Sequence, residues 1–160
     1  MKTSVQRAGL LGLVAVAGSV GPWALVAPRW FFSSFPGGGR SWVALDGPYN
    51  QHLVRDVGAL YCALMALTVV ALVRPERLLV RVTGLVWLVF GLPHLAYHLA
   101  HLDLLMGADR LLNALALGGV VIVAAALCLP ERRERAGSES SADARGGAAA
   151  VAIARAGRRR

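Results

Sequence analysis

The chain is 160 residues long, 56% of them hydrophobic and only 16% charged, where soluble domains average about 25% charged. That balance excludes a small water-soluble globule, and no polar segment is long enough to hold a soluble enzyme outside a bilayer. The formal net charge of +8 does not point to nucleic acid, because the basic residues lie in short loops and the C-terminal tail, where membrane topology puts them.

Met1–Arg7 is a short basic start, followed by the apolar block Ala8–Ala27. This block has the layout of a signal peptide, with small residues near Leu25-Val26-Ala27. It is also long enough to cross a bilayer, since about 20 apolar residues at 1.5 Å rise cover a hydrocarbon core of roughly 30 Å. We read it as a retained first span, kinked by Gly21-Pro22. The connection Pro28–Asn50 carries Trp30, Phe31, Phe32, Phe35 and Trp42, a composition expected at headgroup level. Gly37-Gly38-Gly39 and Asp46-Gly47-Pro48 keep it from forming another span, and it is expected to lie along the membrane surface.

The second span, Leu53–Val73, starts behind Asn50, a good helix cap. Arg74-Pro75-Glu76-Arg77 is a tight turn, with Pro75 suited to the first turn of the third span, Leu78–Leu102. Gly107 breaks the chain, Asp109 is expected to cap the fourth span, Leu111–Leu129, and Pro130 follows. Gly118-Gly119 with Ala114 and Ala124–Ala126 is expected to form a close-packing surface in that span. Residues 131–160, rich in Arg, Ser, Gly and Ala, read as a disordered basic cytoplasmic tail that attracts anionic lipid. Cys62 and Cys128 fall at different depths of different spans, which argues against a disulfide.

The expected fold is therefore all-α: residues 1–130 form an integral membrane four-helix antiparallel bundle with the lipid bilayer as its main partner. Lys2, Arg7, Arg74, Arg77, Arg81 and the arginines of the tail outnumber Arg29, Arg40, Arg55 and Arg110 of the other two loops. The positive-inside bias then makes both termini cytoplasmic, in a bacterial cytoplasmic membrane. A homo-oligomer or a larger membrane complex is a further partner class.

All 4 histidines gather at the outer side: His52 at the start of the second span, and His94, His98 and His101 at the end of the third. Gly84, Trp87, Gly91, His94, His98 and His101 recur at spacings of three and four, which is one helical face. The short turn between the second and third spans sets residues of equal depth side by side, so His52 is expected opposite His98 or His101, and Asp56 opposite His94. An unpaired carboxylate in a membrane interface costs several kcal/mol, so a pairing of Asp56 with His94 is expected. Three readings of this cluster stay open. It can be an interfacial polar cap. It can be a metal site of His52, His94, His98 and Asp56. It can be a haem or quinone site built on His52, Asp56, His94, His98 and His101. Asn113, one turn inside the fourth span, either joins this site or bonds a backbone carbonyl. The inner halves of the spans hold no acid, so no proton or ion relay is evident.

The stretch Asn50-Gln51-His52-Leu53-Val54-Arg55-Asp56-Val57-Gly58-Ala59-Leu60-Tyr61 resembles the start of the second helix in DoxX-like four-helix bacterial membrane proteins, where an Asn, an Arg and a Gly precede an apolar span. The resemblance implies a four-span fold, and some relatives are linked to quinone-coupled redox systems. The histidine run of the third span departs from the group's pattern. The function expected is thus that of a small membrane accessory or structural protein with a ligand site at the His/Asp cluster, the alternative being a membrane oxidoreductase component binding metal, haem or quinone there.

Overall fold

The computed structural model describes residues 3–129, and among these every regular element is helical. Helix α1 is Thr3–Val26, α2 is Pro28–Ser34, α3 is Gln51–Val73, α4 is Arg77–Ala100 and α5 is Ala108–Cys128. Single 3-10 turns at Val43–Leu45 and Leu102–Leu104 interrupt the connections. Helices α1, α3, α4 and α5 are each long and apolar enough to cross a membrane, so the chain is a multi-pass membrane protein. The expected tail lies outside the described residues.

The ends of the helices follow local chemistry. The Asn50 side chain accepts a hydrogen bond from the Leu53 N–H at 3.1 Å and caps α3 as expected. Pro75 lies just ahead of α4, whose N-cap is Glu76. The cap of α5 is Gly107, which turns through a positive φ of 52°. Asp109 instead sits in the first turn, where it is free to pair elsewhere. Pro93 lies inside α4 without ending it.

Packing is strongest between α1 and α3 and between α4 and α5, with α3 on α4 and α1 on α5 joining the two pairs. Glycines set the closest approaches. Around Gly58 of α3 an added Cβ would meet the Leu25 nitrogen at 2.5 Å, and around Gly21 of α1 it would meet the Cys62 nitrogen at 2.9 Å. Gly18 faces Met65, so residue numbers fall along α1 as they rise along α3. On the other side Gly84 of α4 lies against Ala124 and Cys128 of α5, and Gly91 against Val121. Without a hydrophobic driving force between helices in lipid, such backbone proximity supplies the dispersion contacts that hold spans together. Gly118 and Gly119 have nothing within 4 Å of an added Cβ. Of the expected close-packing residues it is Ala124 that makes the close approach, against Gly84, while the two glycines lie on another face of α5.

Between α3 and α4 the tie is polar and deep. The Trp87 indole N–H donates to Thr68 Oγ1 at 2.8 Å, and the Thr68 hydroxyl donates to the Leu64 carbonyl at 2.6 Å. Both side chains are fully buried. Tyr61 meets Phe90 edge-on at 5.2 Å between ring centroids, so α3 and α4 are aligned in depth as the short turn demands.

The connection after α1 is more structured than a surface loop. Pro28 starts α2 at its first turn, and Phe31 is buried against the helices. Trp23 of α1 anchors the segment, touching Trp30, Phe31 and Phe35 at centroid distances of 5.0, 5.5 and 6.1 Å. Phe35 continues to Trp42 at 6.4 Å, and the Trp42 N–H donates to the Phe35 carbonyl at 2.8 Å. Tyr49 packs on Phe32 and lies beneath the Arg29 guanidinium. Residues 28–50 thus fold into a roof over one end of the helices.

Candidate ligand chamber

Beneath this roof lies a cavity of about 800 Å³, within the size range of small-molecule sites. Each spanning helix contributes to its wall. Val16 and Val20 come from α1, Val54, Val57 and Tyr61 from α3, Phe90, His94 and His98 from α4, and Asn113, Leu117 and Val120 from α5. Phe31, Phe35, Trp42 and Val43 close it from the roof. The chamber is amphipathic along its depth. Asp46, Asn50, His98, His94 and Asn113 lie toward the roof, while Val16, Tyr61, Phe90, Leu117 and Val120 form the foot.

Several polar groups of the lining make no hydrogen bond among the described residues: the imidazoles of His94 and His98, the Tyr61 hydroxyl, the Trp42 indole N–H and the Asn113 carbonyl oxygen. Asn113 is only 4% exposed and its Oδ1 has no donor. A buried polar group left unpaired costs about 1–3 kcal/mol, and this oxygen is closed off from the open space of the chamber, so the cost lies in the helix packing. His94 stacks on Phe90 at 5.1 Å and meets His98 edge-on at 4.7 Å. Neither imidazole takes part in a hydrogen bond of the fold.

The roof is latched from the opposite side of the fold. Arg40 Nε lies 2.7 Å from Asp109 Oδ1, which ties the segment between α1 and α3 to the first turn of α5. The Arg110 side chain donates to the Leu105 carbonyl at 2.8 Å and braces the same end.

The structure divides the histidine and aspartate set expected from sequence. His94 and His98 share the chamber. His101 turns away, with its Nδ1 2.8 Å from the Tyr97 carbonyl and its ring stacked on Tyr97. His52 and Asp56 pair with each other across one turn of α3, at 3.2 Å, with side chains 89% and 59% exposed. The reason is rotation, not depth. The inward face of α3 is Val54, Gly58, Tyr61, Leu64 and Thr68, and Asp56 lies two residues from Gly58, about 200° around a helix of 3.6 residues per turn. Asp56 therefore finds its partner on its own helix and not in His94. Among the described residues no group of three or more His, Cys, Asp or Glu is placed to hold a metal ion, so His52, Asp56, His94 and His98 do not form one coordination sphere. Asp56→Asn and His94→Gln share no partner, and their effects on thermal stability in detergent should add within about 0.5 kcal/mol. A larger coupling in a double-mutant cycle would restore the cross-helix pair.

Sequence reasoning missed the roof residues Trp42 and Asp46 and the aromatic wall of Tyr61 and Phe90. Tyr61 was within reach, because Val54, Val57 and Tyr61 repeat at helical spacing. The roof was not, since its contacts are between residues far apart in the chain. The chain matches no known protein family, no characterised protein and no solved structure, so the chamber itself carries the functional argument.

Proposed function

We propose that this protein is a four-helix antiparallel bundle of the bacterial cytoplasmic membrane, of accessory type, that holds a membrane-dissolved small molecule in the chamber under its roof. The observation that carries this reading is the cavity of about 800 Å³ itself, walled by all four long helices and largely apolar, with the His94 and His98 imidazoles converging at one end. Such a combination, an apolar pocket with few converging polar groups, is the usual form of a small-molecule site. Both termini are cytoplasmic in this reading, which places the roof and the chamber on the outer side. The DoxX-like resemblance of Asn50–Tyr61 is kept as part of the proposal.

The ligand reading is tested by purifying the protein in detergent and extracting what remains bound. A stoichiometric apolar compound, reduced in a Leu117→Trp protein whose larger ring occupies the chamber, is expected. Saturable uptake of no apolar probe by the reconstituted protein would sink it. Orientation is tested separately: reporter fusions at Gly38 and Ala108 should read as external, and fusions at Glu76 and Ser140 as cytoplasmic. An external reading at Ser140 would reverse the arrangement.

A second reading, a redox component, is favoured by the aromatic and imidazole lining, which suits the planar ring of a quinone. Its haem and metal forms have less support. Bis-histidine ligation sets two imidazoles on opposite faces of the macrocycle, whereas His94 and His98 touch each other on one helix. A Soret band or stoichiometric metal in the purified protein would revive those forms.

A further inference from the structure

Two charges on α3 serve neither the chamber nor the packing of the four helices. Asp56 lies about a turn and a half into the helix, with 59% of its side chain exposed and only His52, at 3.2 Å, as its partner. Arg55 beside it is exposed too and makes no ion pair among the described residues. Ionisable groups inside a span are costly against hydrocarbon, and they normally face protein or water. We infer that this face of α3 is the contact surface for a second copy of the chain, two α3 helices lying side by side with Arg55 of each copy beside Asp56 of the other.

The seam is written along the helix. His52, Asp56, Ala59, Ala63, Ala66 and Val70 recur at alternating spacings of four and three, and every one of them is exposed. They run along the side of α3 about 180° from Tyr61, which is buried. A period of 3.5 residues keeps one stripe facing a partner helix along its whole length. This stripe covers about 27 Å, most of a hydrocarbon core of roughly 30 Å. The three alanines at its middle let two backbones approach closely, which is how helices associate in lipid. The exposed face of α4 is built differently. Leu78, Leu85, Val89, Leu92 and Leu99 are between 48% and 74% exposed, a bulky and uncharged surface suited to acyl chains.

Charge complementarity selects a second copy as the occupant. In a parallel pair with this register, Asp56 inserts between His52, Arg55, Asp56 and Ala59 of the facing copy, since each knob of such a seam enters a hole of four residues. The two carboxylates near the axis are then flanked by two guanidiniums and two imidazoles. The surface complements itself, which is the condition for a two-fold interface. An uncharged helix in the same place would leave Arg55 and Asp56 without their match. Val54, Val57 and Tyr61 line the chamber from the opposite side of α3, so each copy keeps its own chamber.

The affinity of the pair is measured with the full-length chain in lipid vesicles, by energy transfer between donor- and acceptor-labelled copies diluted with increasing lipid. Ala63→Leu is expected to weaken pairing roughly tenfold or more by forcing the backbones apart, while its thermal unfolding in detergent stays that of the unaltered chain. Arg55→Gln and Asp56→Asn should each weaken it about threefold, the size of an average polar contact between membrane helices. Tighter pairing in Asp56→Asn would overturn the charge assignment. The location is tested by single cysteines, in a chain with Cys62→Ala and Cys128→Ala, placed at Ala63 and Val70 on the seam and at Val89 and Leu115 as controls. Oxidised membranes should yield a covalent dimer from the first two alone. Equal linking at all four positions, or linking at Val89 or Leu115 only, would overturn the α3 contact. Energy transfer no higher than chance encounter in the unaltered chain would overturn the pairing itself.

Discussion

Trp87→Ala is expected to be the most damaging single substitution in the described part of the chain, lowering stability by about 3–5 kcal/mol. The side chain is fully buried and lies where α3 and α4 meet. Its removal leaves a void that lipid cannot fill from outside, so the dispersion contacts of Tyr61 and its neighbours are lost outright. It also strips Thr68 of the N–H that reaches it from α4. Thr68→Val separates the two contributions, because it keeps the volume and removes only the acceptor. Polar contacts between membrane helices average about 0.6 kcal/mol, so Thr68→Val should cost a small fraction of the tryptophan deletion. Thermal unfolding in detergent, followed by near-ultraviolet circular dichroism, measures both. A mild Trp87→Ala would show that α3 and α4 are held together elsewhere.

Gly58→Ala is the second large effect, and it comes from one added methyl group. The new Cβ would lie 2.5 Å from the Leu25 nitrogen and 2.9 Å from the Ala24 carbonyl carbon. Both are backbone atoms of α1, so no side chain can swing aside and the helices must move apart. Overpacking of this kind costs about 1–3 kcal/mol, well beyond the roughly 1 kcal/mol by which alanine is the better helix former. Gly119→Ala is the internal control. It gains the same helix propensity, meets nothing within 4 Å, and should be neutral or slightly stabilising. If both substitutions behaved alike, the close approach of α1 and α3 would be refuted.

These two sites show what was legible in the sequence and what was not. The apolar blocks mark the four long helices to within five residues at each end, because a bilayer imposes a length and a composition that any one span must meet by itself. The inner part of the α4 face was also readable: Gly84, Trp87 and Gly91 are buried as their spacing suggests. Depth across the turn at Arg74–Glu76 was readable too, since a short connection leaves little freedom along the helix axes. Rotation was not. Asp56 has the depth expected of a partner for His94, yet it faces away, because the orientation of α3 is dictated by Gly58, Tyr61 and Thr68. A single glycine that fits backbone against backbone outweighs an exposed carboxylate in deciding which side of a helix turns inward. The interhelical polar contact exists, but between Trp87 and Thr68, residues that composition marks as plain core.

For the candidate site, His94 and His98 were singled out correctly as neighbours on one face, and Asn113 was recognised as able to join them. What joins them in space is the roof, and its shape depends on Trp23, Phe31, Phe35 and Trp42 finding one another. Those aromatics looked like a headgroup belt because a belt and a folded cap share the same composition.

The latch between Arg40 and Asp109 joins residues 69 positions apart, and this has a consequence for how the protein is made. The roof is synthesised before α3, whereas its anchor on α5 emerges only after every other span. Until then the α1–α3 pair can already pack, and Trp23 can hold the start of the segment above it, but the Arg40 end has no partner on α5. The chamber is thus absent from either half alone and comes into being as the last step of biogenesis, when the α4–α5 pair docks. A nascent chain stalled before α5 would sit in the membrane with its aromatic cap held on α1 and the wall of the chamber incomplete.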